Sequence, residues 1–310
     1  MSIRWRKLGR VYVARGERAW QATHAYCPTA VDLADGRIRV LCAFLDADKV
    51  GRVGWVDVDA SAPATVLEVS AAPALDIGVP GAFDDHGVTP LSVVRTGDGA
   101  LRLYYAGWQL GVGVRYFLFT GLAESRDDGR TFARVSQAPV LDRCDGELHT
   151  RTGIHVRPDA GGGWRAWYAG GSEWVGDGDQ AKPRYALRHV RSVDGIHWPD
   201  LGDVVLAPRG PDELGFGRPC VMAHGDGLRM WYSLRSLAHG YGRLGYAESG
   251  DGEAWERHDE DSGLVVSDSG WDSEMVCLSC LLETEHGTYL FYNGNNYGET
   301  GFGVAVAEQP

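Results

Sequence analysis

The stretch "LRMWYS", residues 228–233, decides the fold, because variants of it return along the chain at nearly constant spacing. Related stretches are "LRLYYAG" (101–107), "WRAWYAG" (164–170) and "TYLFYNG" (288–294), with "IRVLCAF" (38–44) as a weaker copy. The second aromatic residue or its equivalent gives a marker in each copy. The markers are Cys42, Tyr105, Tyr168, Tyr232 and Tyr292, spaced 63, 63, 64 and 60 residues apart. Such a period indicates an array of repeated structural units.

Each repeat shows the same order of short elements. An apolar strand such as "PLSVV" (90–94) leads through a Gly/Asp turn to the aromatic strand, a variable loop and a third strand. Three repeats then share an Asp-Gly turn closed by an aromatic residue, as in "SGDGEAW" (249–255), and a fourth strand follows. Four antiparallel strands per repeat are typical of propeller blades. The sequence therefore predicts an all-β fold, a five-bladed β-propeller forming one domain over residues 1–310.

The chain ends after the third strand of its last repeat, and the N-terminal segment resembles the missing fourth strand. "IRWRKLGRVYVARG" (3–16) parallels "IHWPDLGDVVLAPRG" (196–210), which carries the fourth strand of an internal repeat. We therefore predict that residues near 3–13 form the outer strand of the last blade. This strand would close the ring and leave no open sheet edge.

Composition and charge exclude several classes of partner. The net charge of −12 argues against nucleic acid, whose phosphates need a basic face. "MSIRWRKLGR" lacks the apolar core of a signal peptide, and no apolar run reaches membrane-spanning length, so we expect a cytoplasmic protein without a membrane partner. The motif "CLSC" (277–280) lies in an apolar strand, where residues three apart face opposite sides. We expect buried thiols there rather than half a zinc site.

The starts of the innermost strands carry the most informative pattern. They lie 18 or 19 residues before the markers, at His24, His86, His149, Glu213 and Glu274. In a propeller these strands line a central channel, so the five positions are expected to converge on one axis. Three imidazoles would suit one divalent metal ion, which could polarise a substrate oxygen or activate water. The alternative is a polar channel in which each histidine hydrogen-bonds a neighbouring carboxylate.

Carboxylates near the same positions suggest glycoside chemistry. That chemistry needs one carboxyl group as acid and another as base or nucleophile. Asp85, Glu147 and Glu274 are the candidate catalytic residues, each from a different blade. For Asp84 and Asp272, the capping of a turn is an equally simple interpretation.

Arginine and aromatic residues provide candidate substrate contacts. Arg151 and Arg218 lie just inside their strands, where a guanidinium group could hold a substrate carboxylate or phosphate, or pair with a nearby glutamate. Trp108, Trp174 and Tyr297 fall after aromatic strands and could stack on a sugar ring. Packing within the fold is the alternative for each of these aromatic residues.

The stretches "MWYS…GYAESGDGEAW" and "GWDSEMVC…FYNGNNYGETGFGVAV" resemble the five-bladed propellers of the invertase, arabinanase and β-mannoside phosphorylase superfamily. They are more similar still to bacterial glycosidase-like proteins associated with polysaccharide biosynthesis. The resemblance covers nearly the whole chain. It implies a carbohydrate-active enzyme, a glycoside hydrolase or a related glycosyl-processing enzyme. It also implies catalytic carboxylates on inner strands, the region of Asp85, Glu147 and Glu274.

One departure from that superfamily keeps other functions open. Its glycosidases usually place an aspartate on the first inner strand, whereas "HAYCPTAV" (24–31) begins with His24 and is followed by Asp32 only at its far end. A metal-dependent enzyme is therefore the alternative. It would use His24, His86 and His149 on a small molecule in a biosynthetic pathway. A non-catalytic sugar-binding propeller is the third hypothesis, and it would carry its ligand sites once per blade.

Overall fold

The computed structural model describes residues 3–178 and 181–308, which form short strands joined by turns. In the first repeat the strands are β2 (Thr23–Asp32), β3 (Arg37–Leu45), β4 (Gly51–Asp59) and β5 (Val66–Val69). In the second they are β6 (Val88–Arg95), β7 (Leu101–Leu110), β8 (Tyr116–Ser125) and β9 (Ala133–Arg134). In the third they are β10 (Thr150–Pro158), β11 (Trp164–Val175), β12 (Lys182–Ser192) and β13 (Asp203–Leu206).

The fourth repeat contains β14 (Glu213–His224), β15 (Gly227–Ser236), β16 (Gly240–Ser249) and β17 (Glu256–Arg257). The last contains β18 (Cys277–Thr284), β19 (Gly287–Asn293) and β20 (Phe302–Ala307), and β1 is Trp5–Tyr12. A 3-10 turn spans Asp259–Asp261 and a single helical turn spans Asn295–Gly298. The predicted all-β fold is confirmed. In the described part of the chain, no helix is long and apolar enough to cross a membrane.

Within each repeat the strands pair antiparallel in chain order, as the shared order of elements in the repeats predicts. A short parallel pairing of β8 with β10 joins the second and third repeats into one sheet. The first strand of each repeat contacts the first strand of the next, in the order β2, β6, β10, β14 and β18, and β18 contacts β2. These five inner strands therefore form a complete cycle of neighbours around one axis.

The N-terminal strand completes the last sheet. β1 pairs antiparallel with β20 from Trp5↔Ala307 to Tyr12↔Phe302, which gives the order β1-β20-β19-β18. Trp5 is buried and packs edge-on against Trp231, with ring centroids 5.8 Å apart. The prediction that the N-terminal segment supplies this outer strand is confirmed.

In four repeats the marker tyrosine donates a hydrogen bond to a carboxylate that is also paired with a cation. The pairs are Tyr105–Asp84, Tyr168–Glu147, Tyr232–Asp259 and Tyr292–Asp272, at oxygen–oxygen distances of 3.0, 2.9, 2.5 and 3.0 Å. The cations are, in the same order, Arg134, Arg151, Arg257 and Lys7. This recurrence indicates a structural contact of the repeat, which ties a turn to the second strand.

Every inner strand is interrupted by a bulge, a place where the pairing register with its neighbour shifts. The residues in these bulges occupy equivalent positions, 14 or 15 residues before the markers. They are Cys27, Leu91, Gly153, Arg218 and Leu278. Cys27, Arg218 and Leu278 have φ values of 58°, 45° and 51°, in the left-handed region. That region costs a non-glycine residue about 1–2 kcal/mol, so the surrounding structure must hold these residues in place.

The cysteine prediction is confirmed. Cys277 and Cys280 are free thiols, both buried in β18. Cys280 belongs to a cluster of apolar side chains that includes Phe44 and Phe291. The "CLSC" motif therefore contributes to the core.

Candidate active site

The bulges of the inner strands line a cavity of about 550 Å³ at the centre of the cycle of repeats, here called the central cavity. All five repeats contribute to its lining. Its aromatic side chains are Tyr26, Trp108, Tyr116, Tyr185, Tyr241 and Tyr297. A concave, largely apolar site with a few polar groups has the general character of a small-molecule site.

Backbone strain is concentrated at this cavity. Nine of the described non-glycine residues have positive φ. Six of them line the central cavity: His24, Cys27, Lys49, Arg218, Leu278 and Tyr297. Strained backbone of this kind clusters at functional sites, where geometry is held at the expense of stability. The concentration of strain therefore favours the hypothesis that the central cavity is the functional site.

The stretch "DDH" (84–86) supplies a histidine oriented by a carboxylate. His86 lines the cavity, and its Nδ1 lies 2.7 Å from Asp85 Oδ1. Asp85 Oδ2 accepts a hydrogen bond from the Gly81 N–H at 2.9 Å. Partial burial raises the pKa of Asp85, but the hydrogen bonds from His86 and Gly81 outweigh it, so the net pKa lies below the ordinary value.

The lowered pKa keeps Asp85 ionised, and an ionised carboxylate can only accept hydrogen bonds. The proton between the two side chains therefore belongs to Nδ1 of His86, which leaves Nε2 as the basic nitrogen. His86 is half-exposed, with 46% of its side chain accessible. The pair can therefore take a proton from, or return it to, a molecule in the central cavity.

The three predicted metal ligands are not brought together as a metal-binding group. Over residues 3–178 and 181–308, no three His, Cys, Asp or Glu side chains are arranged to hold a metal ion. Nδ1 of His24 lies 3.0 Å from Thr23 Oγ1, and Nδ1 of His149 lies 3.0 Å from Thr150 Oγ1. Burial lowers the pKa of both histidines. Since His149 does not line the central cavity, a shared metal ion at His24, His86 and His149 stays a prediction without geometric support.

Glu147 lies in a buried ionic cluster rather than on the cavity. Its carboxylate is fully buried, 2.5 Å from Arg151 Nε and 2.7 Å from Arg188 Nε, and it accepts a hydrogen bond from Tyr168. Burial raises the pKa of Glu147, while the two arginines and Tyr168 oppose the rise. Arg151 is thus the partner of a glutamate, which was the second of its two predicted roles.

The remaining predicted carboxylate, Glu274, is also outside the cavity lining. Glu274 is exposed, three residues before β18, and its backbone N–H donates to Asn295 Oδ1 at 2.8 Å. In the described part of the chain the cavity lining contains a single carboxylate, Asp48 on the β3–β4 turn. The structure therefore does not assemble Asp85, Glu147 and Glu274 around one bond.

Two of the three aromatic candidates line the central cavity. Trp108 does so with its indole N–H donating to Thr89 Oγ1 at 3.1 Å, and Tyr297 does so in the helical turn of the last repeat. Trp174 lies outside the lining, but its ring is 5.6 Å from that of Tyr116, which in turn is 5.3 Å from Trp108. Trp174 therefore packs against the lining residue Tyr116 without lining the cavity itself.

Arg218 was predicted from the sequence as a substrate contact, whereas Arg235 was not. Both line the cavity, and Arg218 occupies the bulge position of β14. The repeat contained a signal for Arg235, since it stands three residues after its marker, Tyr232. Leu45 and Trp108, three residues after theirs, line the cavity as well.

Comparisons with known proteins agree with this architecture. No protein-family model matches the chain. The "Uncharacterized protein MT1551" of Mycobacterium tuberculosis (strain CDC 1551 / Oshkosh) is 35% identical over 304 residues, 98% of this chain and 99% of that protein. A solved glycoside hydrolase matches with a TM-score of 0.75 at 17% identity, over 100% of this chain and 92% of the other. A thermostable family-43 glycoside hydrolase matches with a TM-score of 0.68 at 14% identity, over 93% and 94%.

Proposed function

We propose that this chain, which belongs to the family of the Mycobacterium tuberculosis protein MT1551 and to the superfamily of glycosidase-like β-propellers, is a carbohydrate-active enzyme. It would be a glycoside hydrolase or a related glycosyl-processing enzyme with its active site in the central cavity. The observation that carries the proposal is the Asp85–His86 pair at an aromatic-lined cavity on this scaffold. Because fold alone does not fix function, the site carries the argument.

The architecture proposed for the site is a five-bladed propeller forming a single domain. Five four-stranded repeats, with inner strands in a cycle and β1 in the last sheet, support this count. In such a ring the inner strands of all blades meet at one axis. A substrate at the axis would therefore contact side chains from every repeat, which is the composition of the cavity lining.

The proposed acid/base group is His86, with Asp85 as its positioning residue. Asp85 fixes the imidazole ring and its tautomer and stabilises the imidazolium that forms when Nε2 takes a proton. His86 would take that proton from a water molecule or a substrate hydroxyl group and return it to the leaving group. The aromatic residues Trp108 and Tyr297 would hold the sugar ring by stacking, the role predicted for them from the sequence.

We expect His86→Gln to lower the turnover of aryl glycosides by about 100-fold, the lower end of what a positioned acid/base group contributes. The screen should include both neutral and anionic aryl glycosides. Asp85→Asn should also lower kcat and change the pH profile, since an amide can impose the wrong tautomer on His86. Thermal unfolding should remain close to that of the intact protein, because His86 is half-exposed.

His197 provides a matched control. Its Nδ1 lies 2.7 Å from Asp194 Oδ2, the same geometry as the proposed pair, but the pair stands on an exposed turn. His197→Gln is expected to keep full turnover. If His86→Gln and His197→Gln are equally active on a substrate that the intact protein processes, the assignment of His86 is wrong.

A further inference from the structure

The charges that line the central cavity oppose the charge of the whole chain. The chain carries a net charge of −12, yet the described lining contains Lys49, Arg218 and Arg235 against the single carboxylate Asp48. In the described part of the chain, none of these three cations forms an ion pair with a carboxylate. A protein of this acidity that leaves three cations unpaired at one cavity has a local field that attracts anions.

Arg218 is the most deeply buried of the three, with 1% of its surface exposed. Its Nη1 donates to Leu278 O at 2.6 Å, and its Nη2 donates to Thr29 Oγ1 at 2.7 Å. Its Nε is buried and has no hydrogen-bond partner in the described structure. A buried cation is costly unless it is paired. The carbonyl and hydroxyl oxygens supply dipoles, but an anion would supply the missing charge.

Arg235 is held in position by aromatic rings. Its guanidinium carbon lies 5.7 Å from the ring centroid of Tyr185 and 5.5 Å from that of Tyr241, and Nη1 donates to Pro183 O at 2.8 Å. Such cation–π contacts fix the planar group without neutralising it. A guanidinium group fixed in this way loses little side-chain entropy when it binds a carboxylate or phosphate.

We propose that the substrate carries an anionic group, a carboxylate or a phosphate monoester, that is bound in the central cavity by Arg235 together with Arg218 and Lys49. This inference rests on the proposed function and names the substrate class for it, an acidic sugar rather than a neutral one. The bulge positions of the other repeats hold Cys27, Leu91, Gly153 and Leu278, so Arg218 brings the only side-chain charge to that ring of equivalent positions.

The test compares sugars that share one ring and differ in whether the group at C6 is neutral or anionic. Binding of 4-nitrophenyl glucosides and galactosides is measured by calorimetry against the matching glucuronides and galacturonides, with sugar 6-phosphates, inorganic phosphate and 4-nitrophenyl phosphate as further probes. We expect at least one anionic sugar to bind 10-fold or more tightly than its neutral counterpart, with affinity falling as salt rises. Arg235→Gln should remove that preference, and Arg235→Lys should restore part of it.

Two further variants keep the test independent of folding. Lys49 lies on an exposed turn, so Lys49→Gln should weaken binding of the anionic sugar without changing thermal stability. Arg243→Gln removes the same charge from the exposed side of β16, outside the cavity lining, and should leave binding unchanged. An equal loss of affinity in Arg243→Gln and Arg235→Gln would overturn the inference, because it would reflect overall charge alone.

The outcomes separate this inference from the proposed function. Equal binding of neutral and acidic sugars would overturn the inference and leave the proposed function standing. Binding of 4-nitrophenyl phosphate that depends on Arg235, with no binding of any sugar, would support the anion site and reject the carbohydrate function. Binding of inorganic phosphate alongside neutral sugars would place the anion on a second molecule and overturn the inference. Binding of no probe would reject both.

Discussion

Deletion of residues 1–12 is expected to abolish the stable folded state. β1 pairs with β20 along its whole length, so the deletion leaves β20 as an open sheet edge. It also removes Trp5 from its pocket against Trp231, and the loss of a buried tryptophan costs about 3–5 kcal/mol. Lys7 is lost as well, which leaves the buried carboxylate of Asp272, 2.6 Å from Lys7 Nζ, without its cation. Together these losses approach the roughly 5–15 kcal/mol that stabilise a typical domain.

Urea unfolding and size-exclusion chromatography would measure this outcome. The point variant Trp5→Ala isolates one part of the effect and is expected to lose about 3–5 kcal/mol of unfolding free energy. Arg6→Gln is the control, since Arg6 is exposed on the same strand and should leave stability unchanged. A truncated protein that melted like the intact one would show that the last sheet does not need β1.

Glu147→Gln is expected to lower the free energy of unfolding by about 3–5 kcal/mol, the typical cost of breaking a buried ion pair. The substitution keeps the shape of the side chain but removes the charge that lies 2.5 Å from Arg151 Nε and 2.7 Å from Arg188 Nε. Both arginines would then be left near the core without a counter-charge. Denaturant unfolding of the purified variant measures the loss.

Glu173→Gln is the matched control for this variant. Glu173 pairs with Arg184 at 3.7 Å, but 60% of its side chain is exposed, and exposed pairs contribute little. We expect its unfolding free energy to stay within about 0.5 kcal/mol of the intact protein. If Glu147→Gln instead kept full stability and lost all turnover, Glu147 would be a catalytic residue, as the sequence suggested.

The repeat made most of the fold predictable. The markers lie in the second strand of each repeat, and the Asp-Gly turns lie between the third and fourth strands where both are present. Even the outer strand of the last sheet could be read from the likeness of residues 3–16 to an internal segment. A single short apolar segment does not identify a strand reliably. Five copies of the same pattern do, because the positions shared by all copies stand out from the variable ones.

The site was only partly predictable, because the inner strands do not alternate regularly. Each contains a bulge between the candidate residues and the marker, and a bulge changes which face the side chains on its two sides occupy relative to each other. Counting back from the markers therefore located the starts of the inner strands. It could not determine which of the side chains there face the cavity. His24 and His86 line the central cavity, while His149 and Glu147, at nearly equivalent positions, are buried and do not line it.

Glu147 also shows how a repeat can mislead a search for function. Its position, 21 residues before a marker, is shared by Asp84, and Asp272 lies 20 residues before its own marker. All three carboxylates bind a marker tyrosine and a cation. A carboxylate that recurs at one position in three of the five repeats indicates a structural role, whereas Arg235 stands at a position where the other repeats carry different residues.

The pairing of β1 with β20 joins the first described strand of the chain to the last. During synthesis β1 is made before the other described strands, and its partner β20 is made after them. A strand such as β1, before its partner is made, can pair with other chains and form aggregates. Its sequence, "WRKLGRVY", carries three positive charges, which discourage such joining. The last sheet is therefore expected to be completed late in folding, when β20 has been made and pairs with β1.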